Sequence, residues 1–143
     1  MKKIISFAVL YLCSLSLSAA PNLELENAFE ANFTIDSAHT SDGVNYQISA
    51  SGEAGDYGRV YLSYTFTDKQ ELGDRGEFTG HAWAQSGEDV NTATLQGIYI
   101  KQGTVFKLYT LDTVSNGEFN FAIGTLNFIE KTLNFEVAEI VTE

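Results

Sequence analysis

The sequence predicts an all-β protein, a single closed antiparallel up-and-down β-barrel of about eight strands. From Asn27 onward, apolar and polar residues alternate with a period of two, which is the period of a half-buried strand. Turn sequences that contain glycine separate the alternating runs, for example at residues 41–43, 102–103 and 115–117. The only proline is Pro21, so no proline interrupts strand pairing in the body of the chain. A β-sandwich is the alternative; a barrel is favoured because closure removes exposed strand edges.

Residues 1–20 have the layout of a secretory signal peptide. Lys2 and Lys3 form a basic start, residues 4–17 form an apolar run, and small residues follow at the cleavage site. The run is too short for a stable membrane span, and no later stretch is long enough. We therefore expect a cleaved signal, a mature single barrel domain over residues 21–143, and a periplasmic or extracellular location.

The first four strands are predicted where apolar residues occupy every second position. These apolar sets are residues 29, 31, 33 and 35; 44, 46, 48 and 50; 60, 62, 64 and 66; and 78, 80, 82 and 84. Residues 22–27 are expected to be a poorly ordered lead-in to the first strand. The charged segment 68–76 is too long for a tight turn, so we expect it to form a loop at one end of the barrel.

The last four strands are predicted over residues 92–100, 105–114, 118–128 and 132–141. Asn116-Gly117 lies between two alternating runs and is the strongest hairpin signal in the chain. Glu130-Lys131 provides another short connection, so the last two strands should also form a hairpin.

Charge and cysteine content exclude several classes of function. The chain has 19 Asp and Glu against 8 Lys and Arg, for a net charge of −11. This balance repels nucleic acid phosphates and anionic lipid surfaces, so no nucleic acid partner is expected. The single cysteine, Cys13, lies in the predicted signal, which leaves the mature chain no disulfide, thiol nucleophile or thiolate ligand. With only two histidines, His39 and His81, we expect no metal and no cofactor.

The predicted interior combines bulky rings with one region of small residues. The inward rings are expected to be Phe29, Phe33, Tyr46, Tyr64, Phe66, Phe119, Phe121 and Phe135. Small residues on the fourth and fifth strands form a seam: Gly80, Ala82, Ala84, Ala93 and Gly97. Either rings from opposite strands fill the space above the seam, or a pocket lies there. For a pocket, the predicted ligand-binding residues are Tyr64, Gly80, Ala82, Ala84, Gly97 and Tyr99.

The opposite face of the fourth strand is a secondary candidate surface. It brings His81 and Trp83 near Arg59 and Tyr61 of the third strand, a combination suited to planar or sugar-like molecules. The alternative is an ordinary amphipathic outer wall. Polar outward residues such as Glu30 argue against lipid contact. No nucleophile, phosphate-loop or zinc-protease motif occurs, and paired carboxylates cannot be chosen from the sequence, so no catalytic residue is assigned.

Glycines and strands occur in a familiar order along most of the mature chain. Residues 52–61 (Gly-Glu-Ala-Gly-Asp-Tyr-Gly-Arg-Val-Tyr) lead into a strand, followed by residues 76–80 (Gly-Glu-Phe-Thr-Gly), 97–98 and 112–117. This order resembles small bacterial proteins of the allene oxide cyclase-like (calycin-like) barrel group. The resemblance implies a closed barrel whose interior suits an apolar ligand. Cyclases and dirigent proteins of this build shape the conformation of a reactive substrate, but no catalytic residue carries over.

Three functions remain open from the sequence. The leading hypothesis is a secreted barrel that binds a small hydrophobic or aromatic molecule. The second is a cyclase or isomerase of the same build, and the third is a structural or interaction module with a filled interior. A void above Ala82, Ala84 and Gly97 would favour the first two, and a buried ionisable group facing that void would favour chemistry. The ligand and the oligomeric state are not specified by the sequence.

Overall fold

A computed structural model of the chain describes residues 19–143. It is a closed barrel in which each strand pairs with its sequence neighbours and the last strand pairs with the first. All eight pairings are antiparallel, which confirms the predicted fold class. The predicted signal peptide lies almost entirely outside the described residues, as does Cys13.

The strands follow the predicted order, and β1 starts earlier than expected because residues from Leu25 onward already pair with β8. Their bounds are β1 Leu25–His39, β2 Tyr46–Ala54, β3 Arg59–Thr67, β4 Arg75–Ser86, β5 Asp89–Gln102, β6 Val105–Val114, β7 Phe119–Asn127 and β8 Thr132–Ile140. A short 3-10 helix, Gly55–Tyr57, connects β2 to β3. Over residues 19–143 no helix has the length and apolar character needed to cross a membrane.

The two ends of the barrel differ. The mouth end carries the connections at residues 55–58, 87–88 and 115–118, and the closed end carries those at 40–45, 68–74, 103–104 and 128–131. At the mouth end the predicted β6–β7 hairpin turn is formed with Gly117 at a φ of 94°, a conformation that glycine adopts without steric cost. The Gly117 amide donates to the Val114 carbonyl at 2.9 Å.

An aromatic plug fills the closed half of the interior. It consists of Tyr46, Phe66, Phe78, Tyr99, Phe106 and Phe128. Phe66 is fully buried, and its ring centroid lies 5.4 Å from that of Phe78 and 5.3 Å from that of Tyr99. Edge-to-face and tilted pairs at these distances each contribute about 0.5–1.5 kcal/mol beyond area burial. The closed end is therefore sealed by packed rings.

The prediction that Phe119 and Phe121 face inward is wrong. In β7 the buried positions are Asn120, Ala122, Gly124 and Leu126, and Phe119 is 43% exposed. Residues opposite each other in a ladder share a face, and Gly124 pairs with Leu108, which is fully buried in β6. The inward side chains of β7 are consequently small. At Gly124 there is no room for a larger one, because an added Cβ would lie 2.3 Å from the Phe135 ring.

Candidate functional site

The mouth half of the interior contains a cavity. Its volume is about 90 Å³, and it is partly open to solvent. Residues from all eight strands and from the 3-10 helix contribute to its wall, among them Phe29, Ala31, Phe33, Ala54, Tyr57, Leu62, Tyr64, Ala82, Ala84, Ala93, Leu95, Thr110, Asp112, Asn120, Ala122 and Phe135. Most of this wall is apolar. The Asn, Asp and Thr residues of the wall lie on β5, β6 and β7, and they are Asn91, Thr92, Thr110, Asp112 and Asn120.

The small-residue seam borders the cavity near the mouth end, and aromatic rings cover it nearer the closed end. Ala82, Ala84 and Ala93 line the cavity. Gly80 and Gly97 lie deeper on the same strands, where rings press against the wall. A Cβ at Gly80 would lie 2.8 Å from Cδ1 of Tyr64, and one at Gly97 would lie 2.7 Å from Cζ of Phe78. The two readings of the seam, a pocket and a filled core, thus each describe one half of the barrel.

The predicted ligand-binding residues divide between these two halves. Tyr64, Ala82 and Ala84 line the cavity, and Tyr64 is only 3% exposed. Tyr99 instead belongs to the aromatic plug, where its ring stacks on Phe106 with centroids 5.4 Å apart. Gly80, Gly97 and Tyr99 are therefore beneath the cavity. The assignment of this set to ligand binding stays a prediction.

Asp112 forms the centre of a polar wall that the sequence analysis missed. It lies on β6 and pairs directly with Asn120 of β7, so both side chains project into the same region of the cavity. The Thr110 hydroxyl donates to Oδ2 of Asp112 at 3.1 Å. Within the described residues, Oδ1 of Asp112 is buried and has no hydrogen-bond partner. One oxygen of this carboxyl group is thus unpaired at the cavity wall.

Burial controls the protonation of this wall. Desolvation raises the pKa of Asp112 to about 7, although hydrogen bonds from the Thr110 hydroxyl and the Gln96 backbone act in the opposite direction. Desolvation likewise raises the pKa of Tyr64 well above its ordinary value, and the charge of Asp112 adds to this effect. At neutral pH, Tyr64 is neutral and Asp112 is divided between its acid and carboxylate forms.

A hydrogen bond crosses the mouth of the barrel. The Tyr57 hydroxyl, from the connection between β2 and β3, donates to Oε2 of Glu118, which precedes β7 on the far side. Asn120 Nδ2 donates to the same hydroxyl at 3.5 Å. Desolvation first, and the bond to Glu118 second, raise the pKa of Tyr57. The Tyr57 ring packs on Phe29, with centroids 6.0 Å apart. This mouth bridge narrows access to the cavity.

Replacing Tyr57 by phenylalanine should loosen the mouth without unfolding the barrel. The ring that packs on Phe29 stays, while the bond to Glu118 is lost, a loss of about 1.5–3 kcal/mol for a hydrogen bond to a charged group. Amide hydrogen exchange should accelerate about ten-fold at the Gly58 and Glu118 amides on the two sides of the mouth. Tyr61→Phe on the outer wall is the matched control. Unchanged exchange in Tyr57→Phe would show that the bridge does not restrain the mouth.

The secondary candidate surface lies on the outside of the barrel. Tyr61 and Trp83 are cross-strand partners, and their rings stack with centroids 4.7 Å apart and planes 20° apart. The Arg59 guanidinium lies 5.9 Å from the Tyr61 ring centroid and 3.8 Å from Glu53. His81 lies two residues from Trp83 on the same face of β4. The four residues are neighbours on the outer wall, and their role in binding stays a prediction.

No group of three or more His, Cys, Asp and Glu side chains within residues 19–143 is placed to hold a metal ion. The expectation that the protein works without a metal or cofactor stays a prediction. Comparisons of the chain with protein-family models, with curated proteins and with solved structures found no significant match.

Proposed function

We propose that the protein is an exported barrel that binds a small hydrophobic or aromatic molecule in the mouth-end cavity. The observation that carries this proposal is the space of about 90 Å³ over Ala82, Ala84 and Ala93. Concave, mostly apolar sites with a few convergent polar groups are the usual form of small-molecule sites. The apolar walls would provide burial, and the Asp112 wall would orient the molecule.

The cavity volume limits what can be held inside. It is smaller than a cavity of about 150 Å³, which holds benzene. A ligand would therefore be a compact group of about five non-hydrogen atoms, or a larger molecule whose remainder projects through the mouth. The mouth bridge between Tyr57 and Glu118 would have to open for the larger molecule.

Ala82→Phe should fill the cavity and abolish binding. The new ring would occupy the space above the seam, so xenon should lose affinity by at least about 100-fold, measured by xenon NMR and by protein chemical shifts. The unfolding free energy should change by less than about 1.5 kcal/mol, because the ring enters existing space. Thr79→Phe, on the exposed face of the same strand, is the control. Unfolding of the Ala82→Phe variant would show that the seam is already full.

The natural ligand can be sought directly. Native mass spectrometry of the protein purified from its source should show a co-purifying small molecule that Ala82→Phe fails to retain. Failure of the wild-type protein to bind xenon or any co-purifying molecule would overturn the proposal and favour a structural or interaction module.

A second candidate function is that of an acid–base isomerase or cyclase, as the allene oxide cyclase-like resemblance suggests. The observation that favours it is Asp112, a buried carboxyl group facing the cavity with one free oxygen and a pKa of about 7. Conversion of the co-purified molecule, followed by NMR, would show this activity. A rate that changes with pH near 7 and is lost in Asp112→Asn would assign the chemistry to that group.

A further inference from the structure

The cavity wall carries charge of only one sign. Of the described residues that line it, three are titratable, namely Tyr57, Tyr64 and Asp112, and none is Lys, Arg or His. Arg59 follows Tyr57 closely in the sequence, but its side chain lies outside the barrel, 3.8 Å from Glu53. Glu118 adds a second carboxylate at the mouth. The chain as a whole has a net charge of −11. Such a cleft attracts cations and repels anions.

The surroundings of Asp112 leave its negative charge without a positive partner. From β3 it faces the neutral phenol of Tyr64, and from β7 the neutral amide of Asn120. On its own strand its Oδ2 accepts a hydrogen bond from the Thr110 hydroxyl, and on the β5 side lies the apolar side chain of Leu95, with the Gln96 backbone amide near enough to lower the pKa of Asp112. Its Oδ1 remains unpaired. A buried carboxylate in these surroundings gains most from a ligand that brings a positive charge and N–H donors.

We propose that the cavity selects a small amine, bound as an ammonium ion to the Asp112 carboxylate with its apolar body against the rings of Phe29, Phe33 and Phe135. This proposal rests on the proposed binding function. An ammonium ion has three donors and no acceptor, which suits Oδ1 of Asp112 and the side-chain oxygen of Asn120.

Size and protonation both define the expected ligand. A branched body of about four carbons plus the ammonium group is slightly smaller than benzene, as expected for a cavity smaller than the one of about 150 Å³ that holds benzene. Since the pKa of Asp112 is about 7, an ammonium ligand competes with the proton for the same oxygens. Amine affinity should therefore rise as pH rises through 7, while an uncharged ligand of the same shape should show little pH dependence.

The test compares three molecules of nearly equal shape: isobutylamine, isobutanol and isobutyrate. Their affinities for the protein are measured by NMR chemical shifts of the β6 and β7 amides. At about pH 8 we expect isobutylamine to bind about ten-fold more tightly than isobutanol, and isobutyrate to give no saturable shift. Lowering the pH to about 5.5 should weaken amine binding by roughly 30-fold, because only a few per cent of Asp112 is then ionised. Isobutylamine stays an ammonium ion throughout this range.

Asp112→Asn should reduce the ratio of amine to alcohol affinity to about one and remove the pH dependence of amine binding. The wild-type comparison needs no variant, so the test holds even if Asp112→Asn folds poorly. At about pH 8, equal binding of the three molecules, a preference for isobutyrate or a preference for isobutanol would overturn amine selection. If xenon binds but none of the three molecules does, amine selection fails and the proposed binding function stands. If nothing binds, the proposed function itself fails.

Discussion

Gly97→Ala is expected to destabilise the barrel by about 3–5 kcal/mol, a large part of the stability of a domain of this size. A Cβ at Gly97 would lie 1.9 Å from the Tyr109 carbonyl oxygen and 2.7 Å from Cζ of Phe78. The first contact is with backbone of the neighbouring strand, and the second is with a ring fixed inside the aromatic plug. Neither can move without separating β5 from β6 or displacing packed rings.

Urea unfolding followed by circular dichroism measures this effect. The control is Gln96→Ala, the exposed neighbour on the same strand, which should change the unfolding free energy by less than about 0.5 kcal/mol. A loss below about 1 kcal/mol in Gly97→Ala would show that the β5–β6 pair accommodates a methyl group and that the close approach is not structurally required.

Asp112→Asn is expected to stabilise the protein at about pH 8 and to have much less effect at about pH 4. The pKa of Asp112 is about 7 in the folded protein, against an ordinary value of 3.8. Between these values the folded state binds the proton and the unfolded state does not, so stability falls as pH rises from about 4 to about 7 and then levels off. A pKa difference of about 3, at about 1.4 kcal/mol for each pH unit, corresponds to a cost of about 4 kcal/mol above pH 7.

The asparagine carries no charge to desolvate, so the variant should lack this part of the pH dependence. The measurement is the unfolding free energy of both proteins from about pH 4 to about pH 8, compared as a difference because the other acids contribute equally to each. Glu30→Gln, on the exposed face of β1, is the control. Its unfolding free energy should stay close to that of the wild type at every pH measured. A constant difference between wild type and Asp112→Asn would show that Asp112 keeps an ordinary pKa.

The barrel could be predicted because the period of two and the turn sequences act locally and agree with each other. The inner face of β7 could not be predicted in this way, because apolar residues occur on both faces of the strand. Phe119 and Phe121 are the larger side chains, yet they lie outside, since the pairing of Gly124 with Leu108 fixes which face is buried. Side-chain size alone therefore selected the wrong face.

The cavity was only partly visible in the sequence. The small residues Ala82 and Ala84 indicated space, but the depth at which Tyr64 and Phe78 cover the seam depends on rings from other positions around the barrel. Asp112 did leave a signal. It continues the inward series of Phe106, Leu108 and Thr110, so an acid occupies a position where the alternation predicts burial. A search for charged residues on the apolar face of each strand would have found it.

Because the aromatic plug fills the closed half, the interior is a blind cavity and not a channel. Fully packed rings around Phe66 block any route along the axis, so solutes cannot traverse the molecule from one end to the other. A molecule that enters the cavity beside Tyr57 must therefore leave through the same opening, so uptake and release follow one route.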